Sequence, residues 1–182
     1  GSSAFYNVTL NGAGGAWSPL TNTMTIANNL TMTNGTLNNA AGAANIAVNG
    51  NVQGTAGVIN LSNNTFTQRV STNRNFGTTS GSTVWTFNNL TFSNSNGSTS
   101  TVTTQTGGTG NLIINGNLVV SSTGDTAPTV LGAGNRTWQL LNSNGSNPFD
   151  MDQAAGSLTG STSTFEYSGD NDSGNVTVEN AT

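Results

Sequence analysis

One phrase keeps returning along the 182 residues: Asn, an aliphatic residue, any residue, then a second apolar one. It appears as Asn7-Val-Thr-Leu10, Asn29-Leu-Thr-Met32, Asn45-Ile-Ala-Val48, Asn89-Leu-Thr-Phe92, Asn111-Leu-Ile-Ile114, Asn117-Leu-Val-Val120 and Asn175-Val-Thr-Val178. The two apolar positions are two apart, so in an extended chain they share one face. The residue between them, often Thr, points the other way, and a β-branched polar side chain suits an exposed pleated surface. Each phrase therefore predicts a strand of about four residues. Between the strands stand Asn11-Gly12, Asn34-Gly35, Asn49-Gly50, Asn96-Gly97, Asn115-Gly116 and Asn144-Gly145. Both residue types tolerate left-handed backbone, so these pairs are sharp corners. No helical period is sustained, Lys is absent, and Glu166 and Glu179 are the two glutamates. The chain reads as all-β.

The phrases also repeat on a longer scale. Phe5-Tyr-Asn-Val-Thr-Leu10 matches Phe87-Asn-Asn-Leu-Thr-Phe92 at an offset of 82, and Val84-Trp-Thr-Phe87 resembles Thr164-Phe-Glu-Tyr167 at an offset of 80. This predicts a single solenoid segment holding two internal copies, approximately 5–86 and 87–167, with a C-terminal strand in 168–182.

Two architectures can use Asn-Gly corners. One is an antiparallel β-sandwich built from two-residue hairpins, and Leu112-Ile-Ile-Asn-Gly-Asn-Leu-Val-Val120 fits it locally. The other is a parallel β-helix or β-solenoid, in which the corners bend each coil onto the next. Most of the Asn-Gly pairs lack matching strands on both sides, which favours the solenoid. The intervals from Asn7 to Asn29 and from Asn89 to Asn111 are both 22 residues, fitting coils of roughly 20 residues. The inward set then includes Val8, Leu10, Ile26, Leu30, Met32, Ile46, Val48, Ile59, Leu61, Phe87, Leu90, Phe92, Leu112, Ile114, Leu118, Val120, Leu140 and Phe165.

Composition agrees with stacking. Three Arg and seven acids make the chain 5% charged, with a net charge of −4 and no His or Cys. Like charges at the strand spacing of about 4.8 Å repel, whereas Thr, Ser and Asn can hydrogen-bond along a stack. The same absences exclude the usual zinc, haem and iron–sulfur sites and Ser-His, Cys-His or lysine chemistry. Three Arg are too few to neutralise a phosphate backbone, so no nucleic acid is expected. No apolar run reaches the roughly 18 residues of a membrane span, and no basic-then-apolar leader opens the chain.

Phe-Tyr-Asn-Val-Thr-Leu-Asn-Gly (5–12), Asn-Asn-Leu-Thr-Met-Thr-Asn-Gly-Thr-Leu (28–37) and Ser-Thr-Phe-Glu-Tyr (163–167) resemble the β-strand-repeat proteins of bacterial surfaces, which are similar in style to filamentous-haemagglutinin-type adhesins. The resemblance spans most of the chain and rests on composition and phrase. It implies a right-handed β-solenoid outside the cell, serving as stalk, fibre or adhesin. It carries no catalytic residues, and the segment 121–161 departs most from the pattern.

Candidate sites are few. A solenoid has open ends, and the strand-like termini make Tyr6, Val8, Leu10, Val176 and Val178 candidates for self-association with copies of itself or neighbouring repeats, end to end. Trp17, Trp85 and Trp138 could stack surface glycans, or else plug the core. Asp170-Asn-Asp-Ser-Gly174 opens like a calcium loop, with Asp170 and Asp172 as ligands, but its twelfth position is Ala181. A polar surface loop is the plainer reading, and calcium is the one cofactor the sequence suggests. Asp150 and Asp152 form a carboxylate pair, yet the chain is expected not to be an enzyme. Thr-x-Thr pairs at Thr21, Thr23, Thr31, Thr65 and Thr101 raise an ice-binding face, without one constant period. Sequons at Asn7, Asn29, Asn34, Asn89, Asn135 and Asn175 follow from the abundance of Asn, Ser and Thr.

Overall fold

The computed structural model describes residues 4–19, 21–39, 44–95, 102–120, 129–142, 148–151, 156–159 and 162–168. The chain runs β1 (Val8–Trp17), then β2 (Met24–Ile26) and β3 (Leu30–Asn38), then β4 (Ile46–Val48), β5 (Val52–Gly54) and β6 (Val58–Asn60). It continues with β7 (Thr65–Val70), β8 (Arg74–Thr78) and β9 (Trp85–Phe87), then β10 (Asn89–Asn94), β11 (Val102–Thr106) and β12 (Leu112–Ile114). The last coils are β13 (Leu118–Val120), β14 (Thr129–Gly132) and β15 (Thr137–Leu140), then β16 (Phe149–Met151), β17 (Gly156–Thr159) and β18 (Thr164–Tyr167). No helix occurs among the described residues.

Every pairing among these strands is parallel. Consecutive strands never pair with each other, except that each meets its counterpart one coil away. The fold is therefore the parallel β-solenoid, and the sandwich alternative is set aside. Three strands make one coil. The first face stacks β2, β4, β7, β10, β13 and β16 as one sheet. The second face stacks β5, β8, β11, β14 and β17, and the third stacks β6, β9, β12, β15 and β18. The long strand β3 pairs with β5 through its first half and β6 through its second, joining the two faces into one sheet. The segment that locally imitated a hairpin is a corner: β12 lies on the third face, and Asn115-Gly116-Asn117 delivers the chain to β13 on the first.

Coil length is not constant. Asn-to-Asn steps of 22 residues link the first coils. A step of 24 follows, and later equivalents lie 25 to 28 residues apart. The expected coil of roughly 20 residues holds for the first turns and is too short for the rest. Asn7 precedes β1 on the second face, whereas Asn89 opens β10 on the first. Asn89 stacks on Asn117, and not on Asn111. The Asn phrase thus marks a corner on any face. Ser168 follows β18 without strand structure, and the rest of the expected C-terminal strand lies outside the described residues.

The core is one continuous column between the faces. Its members include Leu30, Met32, Ile46, Val48, Leu90, Leu112, Ile114, Leu118, Val120 and Leu140, all buried as the alternation predicted. Phe66, Phe76, Val52, Leu131 and Phe149 join them. Rings form a chain along the axis. Phe66 meets Phe76 and Phe87 at 6.2 and 5.3 Å, Phe76 meets Trp85 and Phe92 at 5.7 and 5.0 Å, and Phe92 reaches Trp138 at 6.4 Å. Trp138 stacks on Phe165 at 5.6 Å.

Candidate functional site

Corners, ends and one buried cation are the chemically distinct places in this solenoid. The corner before the second face carries a column of asparagines. Asn29 donates its backbone N–H to Asn7 Oδ1 at 3.1 Å, Asn51 to Asn29 Oδ1 at 2.9 Å, and Asn75 to Asn51 Oδ1 at 2.9 Å. Asn51 Nδ2 also donates to Asn29 Oδ1 at 3.1 Å. At a corner the backbone leaves the ladder, and the carboxamide supplies the acceptor the missing strand would have given. The same device recurs elsewhere. Thr65 N–H donates to Asn45 Oδ1 at 3.0 Å, Asn117 N–H to Asn89 Oδ1 at 2.9 Å, and Thr137 N–H to Asn111 Oδ1 at 3.2 Å. The phrase asparagines were read as strand starts. Their role as acceptors between coils was missed, although their fixed place before each apolar pair was the signal. The amides of Asn7, Asn29 and Asn89, which also begin sequons, are engaged in this way.

The two tryptophans proposed for glycan stacking are corrected by burial. Trp85 and Trp138 are fully buried. Trp85 Nε1 donates to Gly57 O at 2.9 Å and Trp138 Nε1 to Ala133 O at 3.1 Å. An indole so enclosed anchors a core and presents no ring to a sugar. Both sit at inward positions opposite Leu112, one coil to either side. Trp17 is half-buried at the end of β1, its ring lying over Gly12, Gly15 and Gly35. Threonines do not build one array: Thr31 lies on the second face, while Thr65 and Thr67 lie on the first. On the first face Thr25, Thr67 and Thr91 share a column with Ala47 and Val119.

Of the acids, Asp150 is exposed on β16 and Glu166 is exposed on β18, where Gln139 Nε2 donates to Glu166 Oε2 at 3.1 Å. Asp152, Asp170 and Asp172 lie outside the described residues, as do Val176 and Val178. The calcium and C-terminal self-association readings therefore have no described geometry.

Sequence reasoning also missed a polar interior on the second face. Thr78, Thr104, Thr106 and Thr129 are buried, and Thr106 Oγ1 donates to Gly132 O at 2.5 Å. Next to them Arg136 is 4% exposed. It reaches from the corner before β15 back across the preceding coil, where Nη2 donates to the carbonyls of Gly107 and Gly108. Its guanidinium then abuts Gly77 in the coil before that, where a Cβ would stand 2.5 Å from Nη2. Gly77 has φ +126°, so it is a glycine on both counts. Burial lowers the Arg136 pKa to about 10. Its Nε and Nη1 have no hydrogen-bond partner.

The first coil is an open end. β1 pairs with β3 alone, Tyr6 is 71% exposed and Phe5 55% exposed. Val8 is half-buried and Leu10 lies in the core.

The architecture defines a class, the three-faced parallel β-solenoid with asparagine corners. Compared with protein-family models, curated proteins and solved structures, the chain matches none.

Proposed function

We propose that this chain is a structural and adhesive segment of an extracellular bacterial surface fibre, able to stack end to end. The observation that carries the reading is the column Asn7, Asn29, Asn51 and Asn75. It binds successive coils at a corner through side-chain acceptors in addition to the strand ladders. Each coil is thus held to its neighbours on three faces and at the corner, so stability accumulates along the axis as in other solenoids. That suits a rod that spans distance. The uncharged Thr and Asn surface serves the same end, because it removes lateral repulsion between stacked coils. Exposed positions such as Thr25, Thr31 and Thr67 remain free for adhesive contact.

The test is labelling of intact source cells with antibody raised against the folded chain, combined with external protease treatment. Surface label that is lost on protease treatment is the expected result. Label that appears only after the cells are permeabilised overturns the reading.

A further inference from the structure

The first coil has a direction built into it. In β3 the Leu30 N–H points forward to Asn51 O at 2.9 Å, while the Asn29 N–H points back to Asn7 Oδ1. The backbone N–H groups of Asn51 and Asn75 point back in the same way. In β1 the Val8 N–H points forward to Asn29 O at 2.9 Å. By the alternation of a parallel strand, the main chain of Asn7 and Thr9 therefore faces backward, off the end of the solenoid. No described residue accepts from the Asn7 N–H. Phe5 and Tyr6, the most exposed large apolar residues described, flank this edge. Sheet edges are normally blunted by charge, and no charged residue occurs before Arg69.

We propose that the edge Phe5–Leu10 receives the last coil of a second copy of this chain, added as a parallel strand in head-to-tail order. This rests on the fibre reading above and names its interface. Order follows from donor and acceptor placement. Asparagine oxygens point forward in every rung, so an acceptor for a backward N–H comes from the forward edge of another coil. Two first-coil edges set face to face would leave the Asn7 N–H groups without one. In register, the Asn column continues through Gln105 and Gly132 to Thr159 at the far end. Thr159 is exposed, and its hydroxyl is an acceptor. Both ends also present half-covered core residues, Val8 and Met24 at one and Leu158 and Phe165 at the other. Beyond Leu10 the register of β1 shifts, with Gly12 to Gly15 bulging opposite Gly35. The contact is thereby confined to the first half of the strand, and the assembly should be reversible.

Sedimentation of the full chain across a concentration series tests this, alongside Tyr6→Lys and Thr9→Pro. Tyr6 is outside the core, and Pro is tolerated on a strand edge whose N–H faces solvent. The expected result is a mass that rises with concentration, weakened by about tenfold or more in each variant with unchanged circular dichroism. The absence of Cys permits a second arm. Tyr6→Cys mixed with Tyr167→Cys should yield the mixed disulfide. A strict monomer, variants that associate like the parent, or cross-linking of Tyr6→Cys to itself in preference to the mixed pair each overturn the proposal. Surface label with a monomeric chain sinks the docking edge alone, and association without surface label sinks the fibre reading alone.

Discussion

The coils up to Val70 and those beyond it solve the same packing problem in different ways. The early coils step by 20 to 24 residues and carry the asparagine column. Their inward residues are mostly Leu, Ile, Val and Met, as in Leu30, Met32, Ile46 and Val48. Later coils step by 24 to 29 residues and are filled by Phe76, Trp85, Phe87, Phe92 and Trp138. A longer perimeter encloses a wider cross-section, and interiors pack without voids, so side-chain volume must rise with coil length. Where even aromatics do not fill the wider interior, Thr78, Thr104, Thr106 and Arg136 line it. Corner length also explains where the asparagine column stops. After Asn75 the next position in register is Gln105, inside a strand and 30 residues on. The lesson is that alternation alone maintains a solenoid, while the side-chain column requires constant corners.

The comparison breaks first, and most severely, if the wide coils do not depend on their rings. Trp138→Ala should cost about 3–5 kcal/mol of unfolding free energy. The ring touches Phe92 and Phe165, and its N–H satisfies the Ala133 carbonyl. Leu30→Ala in the narrow part should cost about 2–5 kcal/mol. Denaturant titration of both variants measures this. An unaltered midpoint for Trp138→Ala would mean that the wide interior is loosely filled.

Most of the core and the fold class were legible in the sequence because inward positions alternate with period two regardless of coil length. Leu90, Leu112 and Val120 needed no more than that. Phe66, Phe76 and Val52 were not read because their strands lack the Asn phrase or carry it out of step. Coil assignment failed beyond the first turns because the phrase marks corners on more than one face. An interval of 22 residues between Asn89 and Asn111 looks like a coil but runs from one face to another. Trp85 and Trp138 could not be placed from sequence, since an indole flanked by polar residues is equally compatible with either side of a strand. Arg136 was illegible because its environment is made by Gly77 and Gly107, far away in sequence.

A second break concerns that arginine. Gly77→Ala should destabilise by about 1–3 kcal/mol, through positive φ and contact with the guanidinium. Arg136→Met should be neutral or stabilising, because it removes a charge whose Nε and Nη1 are buried without partners. The double variant should recover the steric part of the Gly77→Ala loss and leave the backbone part. Alkaline pH gives an independent check. The folded pKa of about 10 lies below the model value of 12.5, so between them the unfolded chain binds the extra proton. The Arg136 contribution to stability therefore rises with pH across that window. Unfolding of the parent and of Arg136→Met, compared from pH 9 upward (about one unit below the window), should show this rise in the parent only. A parallel pH dependence in both would place the guanidinium in water.

The smallest expected effect probes the asparagine column. Asn29→Ala removes the acceptor for both the Asn51 N–H and its Nδ2. The loss should be about 1 kcal/mol, the net worth of a hydrogen bond whose donor becomes partly orphaned. Asn111→Ala, in a longer coil, removes one acceptor of the Thr137 N–H at 3.2 Å and should cost less. Asn60→Ala alters an exposed outward position on the third face and should stay within about 0.5 kcal/mol. The three variants together separate the column from mere asparagine content. Equal losses for Asn29→Ala and Asn60→Ala would show that the corner carboxamides do not hold one coil to the next. The early coils would then owe their regularity to apolar stacking alone.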